Sequence, residues 1–281
     1  QIGNPPYNDT TSEFKSGQKG KNICDRDLAD RDLGISFLKS YNKLRASIIC
    51  VLHPLSYLIK EANFKRLKEF RYNYKLIKGV VFPSSWFSGT GLLKFPIIIA
   101  LYEKDEIGMD FDYIKNFEFA ILDSEKTFKL AQYETTDGCI DKYPPRKNGV
   151  KTSPIGLYYY TFRDINSLKK NASFMNKIHY NSIVITTESL YKYAYLNAFK
   201  DLFATQNLWL YGNLSPLVSR EALEKNKRKY IEYAIHTNPV IKKADKAVLE
   251  EIAEYYGINL NKLTRIKELE KEIQSQFNAL I

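Results

Sequence analysis

Long apolar runs are missing: the longest, Phe95-Pro96-Ile97-Ile98-Ile99-Ala100-Leu101-Tyr102, stops at eight residues, far below the ~20 that a membrane helix needs. No membrane partner is expected. Cysteine is scarce: Cys24, Cys50 and Cys139 are odd in number, widely spaced and never in a C-x-x-C pair. That argues against a disulfide framework or structural zinc and fits a reducing cytoplasm. The three histidines, His53, His179 and His236, show no H-E-x-x-H or comparable spacing, so no metal site is expected and a Cys–His mechanism has little support. A G-x-G-x-x-G opening a helix is also absent. Gly89-Thr90-Gly91 is the only tight Gly-x-Gly, and an apolar strand follows it; it reads as a loop rather than a phosphate cradle. The chain opens Gln1-Ile2-Gly3, without an initiator Met or a secretory signal. Whatever leads into this segment is expected to be missing or very short.

The 281 residues are 44% hydrophobic and 26% charged, ordinary for a globular chain and too apolar for intrinsic disorder. The length suits one large or two modest domains. Lys+Arg exceed Asp+Glu by 42 − 32 = 10, which favours a polyanionic partner. After a polar stretch over 8–26, apolar spacing predicts a helix over Leu28–Leu44. Ala46–Leu52 is short, β-branched and apolar, the pattern of a strand buried on both faces, and His53-Pro54 is expected to end it. Another helical stretch over 55–70, a strand at Tyr74–Phe82 and the run 95–102 complete an alternation that implies an α/β layered sheet. The pattern changes near residue 108, so domains are expected over 1–108 and 109–281, the second mainly helical.

Asn4-Pro5-Pro6-Tyr7 carries the chemistry. The lone pair of an exocyclic amine on an aromatic ring is delocalised and a poor nucleophile. The Asn4 amide oxygen and the Pro5 main-chain oxygen can each accept one of its N–H groups, raising electron density on nitrogen as a methyl group arrives. Consecutive prolines stiffen the loop and remove competing donors, and Tyr7 offers a face to a flipped-out base. An ordinary Asn/Pro turn is the competing explanation.

On these residues the chain resembles the S-adenosylmethionine-dependent N6-adenine DNA methyltransferases of restriction–modification systems, over residues 1–105. Asn4-Pro5-Pro6-Tyr7 matches that family's catalytic loop, and Ile49–Ser56, Val80–Pro83 and Phe95–Lys104 resemble its later elements. The resemblance implies the C-terminal half of a Rossmann-like methyltransferase sheet, followed by a mixed, mainly helical target-recognition domain. It implies double-stranded DNA as partner and S-adenosylmethionine as methyl donor. A base-stacking aromatic is implied too, with Phe82, Phe87 and Phe95 as rivals. The cofactor-binding residues stay unassigned, because no glycine-rich loop precedes Asn4. The cofactor half is expected to lie upstream or in another polypeptide, and an associated nuclease fits the same class.

Lys60, Lys65, Arg66, Lys68, Arg71, Lys75 and Lys78 form a cationic stretch suited to phosphates, or equally a solvated helix face. In Tyr158-Tyr159-Tyr160-Thr161-Phe162-Arg163 and Lys169-Lys170-Asn171, the residues Arg163 and Asn171 are candidate base readers, with a strand in the core as the rival reading. The clusters Asp25–Asp32 and Arg220–Lys229 read as surface or helix-start features. Two other functions remain open: a DNA-binding fragment without activity of its own, and glutamine N5-methylation of a protein, which uses the same motif.

Overall fold

The computed structural model describes residues 1–5, 25–87, 95–145, 151–203 and 209–281. The chain forms two compact units, Gln1–Gln132 with Trp209–Asn213, and Tyr133–Leu208 with Leu214–Ile281. Among the described residues no helix is long and apolar enough to cross a membrane.

The first unit is a mixed α/β layer around a six-stranded sheet. Its strands are β1 (Ile2–Gly3), β2 (Ile48–Pro54), β3 (Tyr74–Pro83), β4 (Pro96–Lys104), β5 (Phe119–Ile121) and β6 (Thr127–Phe128), in spatial order β1-β2-β4-β3-β5-β6. β1 and β2 are parallel, and β4 lies antiparallel between β2 and β3. Ile97, Ile98, Ala100 and Tyr102 of β4 are all buried, so the apolar run is continuous because both faces of this strand are covered. β5 and β6 extend the same sheet through the pairs Val80–Ala120 and Phe119–Phe128. The first unit therefore runs past residue 108, the boundary set from sequence.

Helix α1 spans Leu33–Leu44, five residues shorter at its start than the apolar spacing suggests. The acidic cluster explains this: Asp32 caps the helix by accepting from Gly34 N at 3.1 Å, and Asp30 accepts from Asp32 N at 3.1 Å. Asp and Asn side chains compete for backbone donors in this way and favour caps over helix interiors. Asp30 also pairs with Lys39 at 3.0 Å and with Arg66. The stretch over 55–70 is not one helix but three short ones, α2 (Ser56–Ile59), α3 (Glu61–Arg66) and α4 (Phe70–Asn73). β2 ends at Pro54, with His53 and Pro54 still in register with β4. Leu55 N donates to Pro96 O across β4, so the nitrogen of Pro54 faces the β1 side, where pairing covers only Cys50 and Val51. No ladder bond is lost there.

The second unit holds a small sheet, β7 (Tyr158–Tyr160) between β8 (Phe174–Met175) and β9 (Ser182–Val184). Its central helix, Leu190–Ala198, continues as a π-helical turn over Phe199–Phe203. Helices Lys227–Thr237 and Ile266–Asn278 pack around it. Buried Tyr195, Phe199, Phe203, Tyr230 and Phe277 form a ring cluster. An amide chain runs beside it, Asn238 donating to Asn197 at 2.8 Å and Asn197 to Asp201 at 2.9 Å.

Candidate functional site

β1, β2 and β3 run in one direction, because β2 and β3 are each antiparallel to β4. Their carboxyl ends therefore open on one edge of the sheet, where β4 also begins. Sheets of this kind bind ligands outside the carboxyl ends of their strands. The chain leaves β1 at this edge through Asn4, which is exposed, and Pro5, which is buried. Pro6 and Tyr7 lie outside the described residues.

Two glycines are closely approached here. A Cβ on Gly3 would overlap the hydroxyl of Tyr41, and one on Gly34 would overlap that of Tyr57. The same contacts mean that neither glycine leaves an open cradle for a nucleoside cofactor. Gly89-Thr90-Gly91 lies outside the described residues.

Beneath the edge sits His53, fully buried and not singled out by any motif. Its ring stacks on Tyr57 with centroids 5.3 Å apart and planes 14° from parallel. The Tyr57 hydroxyl in turn donates to Asp32, the cap of α1. Nδ1 of His53 lies 2.9 Å from the Pro54 carbonyl and Nε2 lies 2.7 Å from the Tyr102 hydroxyl. A carbonyl only accepts, so Nδ1–H donates to it and Nε2 accepts from Tyr102: this is the neutral imidazole. Burial pushes the His53 pKa from 6.5 down to about 4, since the charged form loses its hydration. The only sequence signal was a histidine at the end of an apolar strand, which also describes many inert ones.

A pH dependence follows. The unfolded chain takes up a proton near 6.5 while folded His53 resists until about 4. Its contribution is complete above pH 6.5 and falls away as pH drops toward 4, a loss of about 3 kcal/mol. Asp30, held low, acts only below its ordinary 3.8, outside that window, and glutamates held low, such as Glu232, begin to act only near 4.5, at its foot. Urea unfolding at pH 7 and 4.5 should show the loss. His53→Gln, a neutral donor and acceptor at both values, should flatten it.

Of the three rival aromatics, Phe82 is only 4% exposed and leans on Trp86 and Phe87, with centroids 5.5 and 6.0 Å away. Phe87 and Phe95 are half-buried. Trp86, which the sequence reading passed over, is 59% exposed. Ser84 ties the two ends of this connection together: its N donates to Phe95 O at 2.9 Å and its Oγ accepts from Phe95 N at 3.1 Å.

The cationic stretch is not one stripe. Lys60, Lys65 and Arg66 lie at or within α3, Lys68 and Arg71 at the following turn and α4, and Lys75 and Lys78 on β3. Several are engaged within the chain: Lys65 with Glu61 at 2.7 Å, Arg66 with Asp30, Arg71 over the rings of Phe64 and Tyr72, and Lys75 over Tyr113. In the second unit Arg163 is exposed, whereas Asn171 is half-buried and its amide donates to Thr161 O at 2.8 Å. The cluster over 220–229 is largely neutralised, with Arg220, Lys227, Arg228 and Lys229 paired to Glu134, Glu224, Glu232 and Glu272.

No family model, curated protein or solved structure matches this chain.

Proposed function

We propose that this chain supplies the catalytic loop and the DNA-recognition region of an S-adenosylmethionine-dependent methyltransferase acting on N6 of a flipped-out adenine in duplex DNA. The observation that carries the reading is the exit of Asn4-Pro5 from the carboxyl end of β1, at the edge where three strand ends converge. Two further features support it. β4, last of the first four strands in the chain, is inserted antiparallel between β2 and β3, which is how a Rossmann-like methyltransferase sheet ends. Trp86 exposes an aromatic face beside Phe82, at the end of β3.

In this reading the Asn4 amide oxygen and the Pro5 carbonyl accept the two amine hydrogens, and the aromatic rings hold the extruded base by stacking. S-adenosylmethionine is the methyl donor. The residues that hold its nucleoside stay unassigned: Gly3 and Gly34 are closed off by tyrosine hydroxyls, and Gly89-Thr90-Gly91 lies outside the described residues.

The test pairs the full-length protein with duplex DNA and a glutamine-bearing protein substrate and offers methyl-labelled S-adenosylmethionine. The expected product is N6-methyladenine in duplex DNA. Label on a protein glutamine instead, or on neither substrate, sinks the proposal.

A further inference from the structure

The connection between β8 and β9 is built unlike an ordinary turn. Both strands flank β7, with Met175 level with Tyr158 and Ser182 level with Tyr160. Residues 176–181 must therefore cross β7 from one edge to the other. The crossing is pinned at its far end. His179 N donates to Ser182 Oγ at 2.7 Å, Ser182 N donates back to His179 O at 2.9 Å, and Asn181 N donates to His179 Nδ1 at 3.2 Å. Asn181 Nδ2 donates to the Tyr160 hydroxyl at 3.1 Å.

These bonds fix the first two of three touching rings. Tyr160 and His179 stack with centroids 6.0 Å apart and planes 25° from parallel, and the Tyr180 ring packs on His179 with centroids 4.1 Å apart and planes 40° apart. The row ends in water: Tyr180 is 77% exposed and the adjoining Ile178 is 54% exposed. Tyr158 and Tyr159, the other members of the tyrosine triplet, are buried. From Ile165 to Thr187 the chain carries Lys169, Lys170 and Lys177 and no carboxylate.

We infer that the Tyr160–His179–Tyr180 row is a stacking platform for an unstacked base of a nucleic-acid strand, with Lys177 of the same connection drawing in its phosphates. Every base has a π-face, so an aromatic end group held by its own loop binds a base with little ordering cost. The absence of acidic groups over 165–187 suits a polyanion and no cationic partner. The inference rests on the methyltransferase reading only for naming the strand as DNA.

The experiment measures fluorescence anisotropy of a labelled 20-nucleotide DNA, single-stranded and duplex, against the whole chain over a salt series. Tyr180→Ala is expected to weaken single-strand binding about tenfold with an unchanged salt slope. Tyr180→Phe should bind like the parent. Lys177→Ala should reduce the slope by about one. Equal affinity of Tyr180→Ala and parent, or no binding of any oligonucleotide by the parent, overturns the platform. Binding that depends on Tyr180 without adenine methylation in the paired assay removes the methyltransferase reading and leaves the platform. Methylation with binding indifferent to Tyr180 does the reverse.

Discussion

Asn4→Ala is expected to lower methyl transfer by ~100-fold or more, with duplex affinity nearly unchanged. The amide oxygen of Asn4 is one of two acceptors proposed for the amine hydrogens, and alanine removes it outright. Its value lies in the transition state, where nitrogen gains positive charge as the methyl group arrives, so the loss should appear in kcat rather than in binding. Asn4 is exposed, and β1 is held by its neighbours, through the pairs Ile2–Cys50 and Gly3–Val51 and the bond from Cys50 N to Gln1 O at 2.8 Å. Asn4→Asp keeps an acceptor in place and should retain much of the rate. Single-turnover methylation at saturating duplex, alongside anisotropy for affinity, separates the two terms. Undiminished turnover in Asn4→Ala would remove the residue from the chemistry.

What the sequence reveals here depends on how far apart the cooperating residues lie. β2 and β4 are legible because each is a long apolar run bounded by proline, and β3 because Val80-Val81-Phe82 runs into Pro83; burial on both faces leaves no polar interruption in β4 before Glu103. β5 and β6 are not, since three and two residues give no period to read. The helix start at Leu33 depends on whether Asp30 and Asp32 bond backbone or solvent, which composition does not encode. The proposed catalytic loop is legible as a string of residue types. His53, by contrast, gains its setting from Tyr57 and Tyr102, four and forty-nine positions away. Trp86 differs from Phe82 only in exposure, which emerges after the sheet has formed. The ring row of Tyr160, His179 and Tyr180 arises from a crossing over β7 that no local pattern specifies.

Phe277→Ala should destabilise the second unit by about 3–5 kcal/mol, the range for removing a large buried ring. Phe277 is 1% exposed on Ile266–Asn278. It meets Tyr195 and Phe199 edge-on at 5.5 Å each, and Phe203 at 6.0 Å. The cost of such a truncation depends on how far the neighbours can close over the void, and here Tyr195, with Tyr230 packed on it, is tethered. The Tyr195 hydroxyl donates to Leu217 O at 2.5 Å, and the Tyr230 hydroxyl to Gln276 Oε1 at 2.5 Å. Moving either ring inward would break a buried hydrogen bond, which itself costs about 1–3 kcal/mol. The cavity should therefore stay largely open, and the loss should fall near the upper end of the range. Phe277→Leu refills most of the volume without the ring edges and should cost less than half as much. A typical domain holds about 5–15 kcal/mol in total, so the alanine variant should shift the urea midpoint far enough to separate cleanly from both the parent and the leucine variant. Equal midpoints for alanine and leucine would mean that the rings around the void repack freely, and that the hydroxyl tethers do not hold Tyr195 and Tyr230.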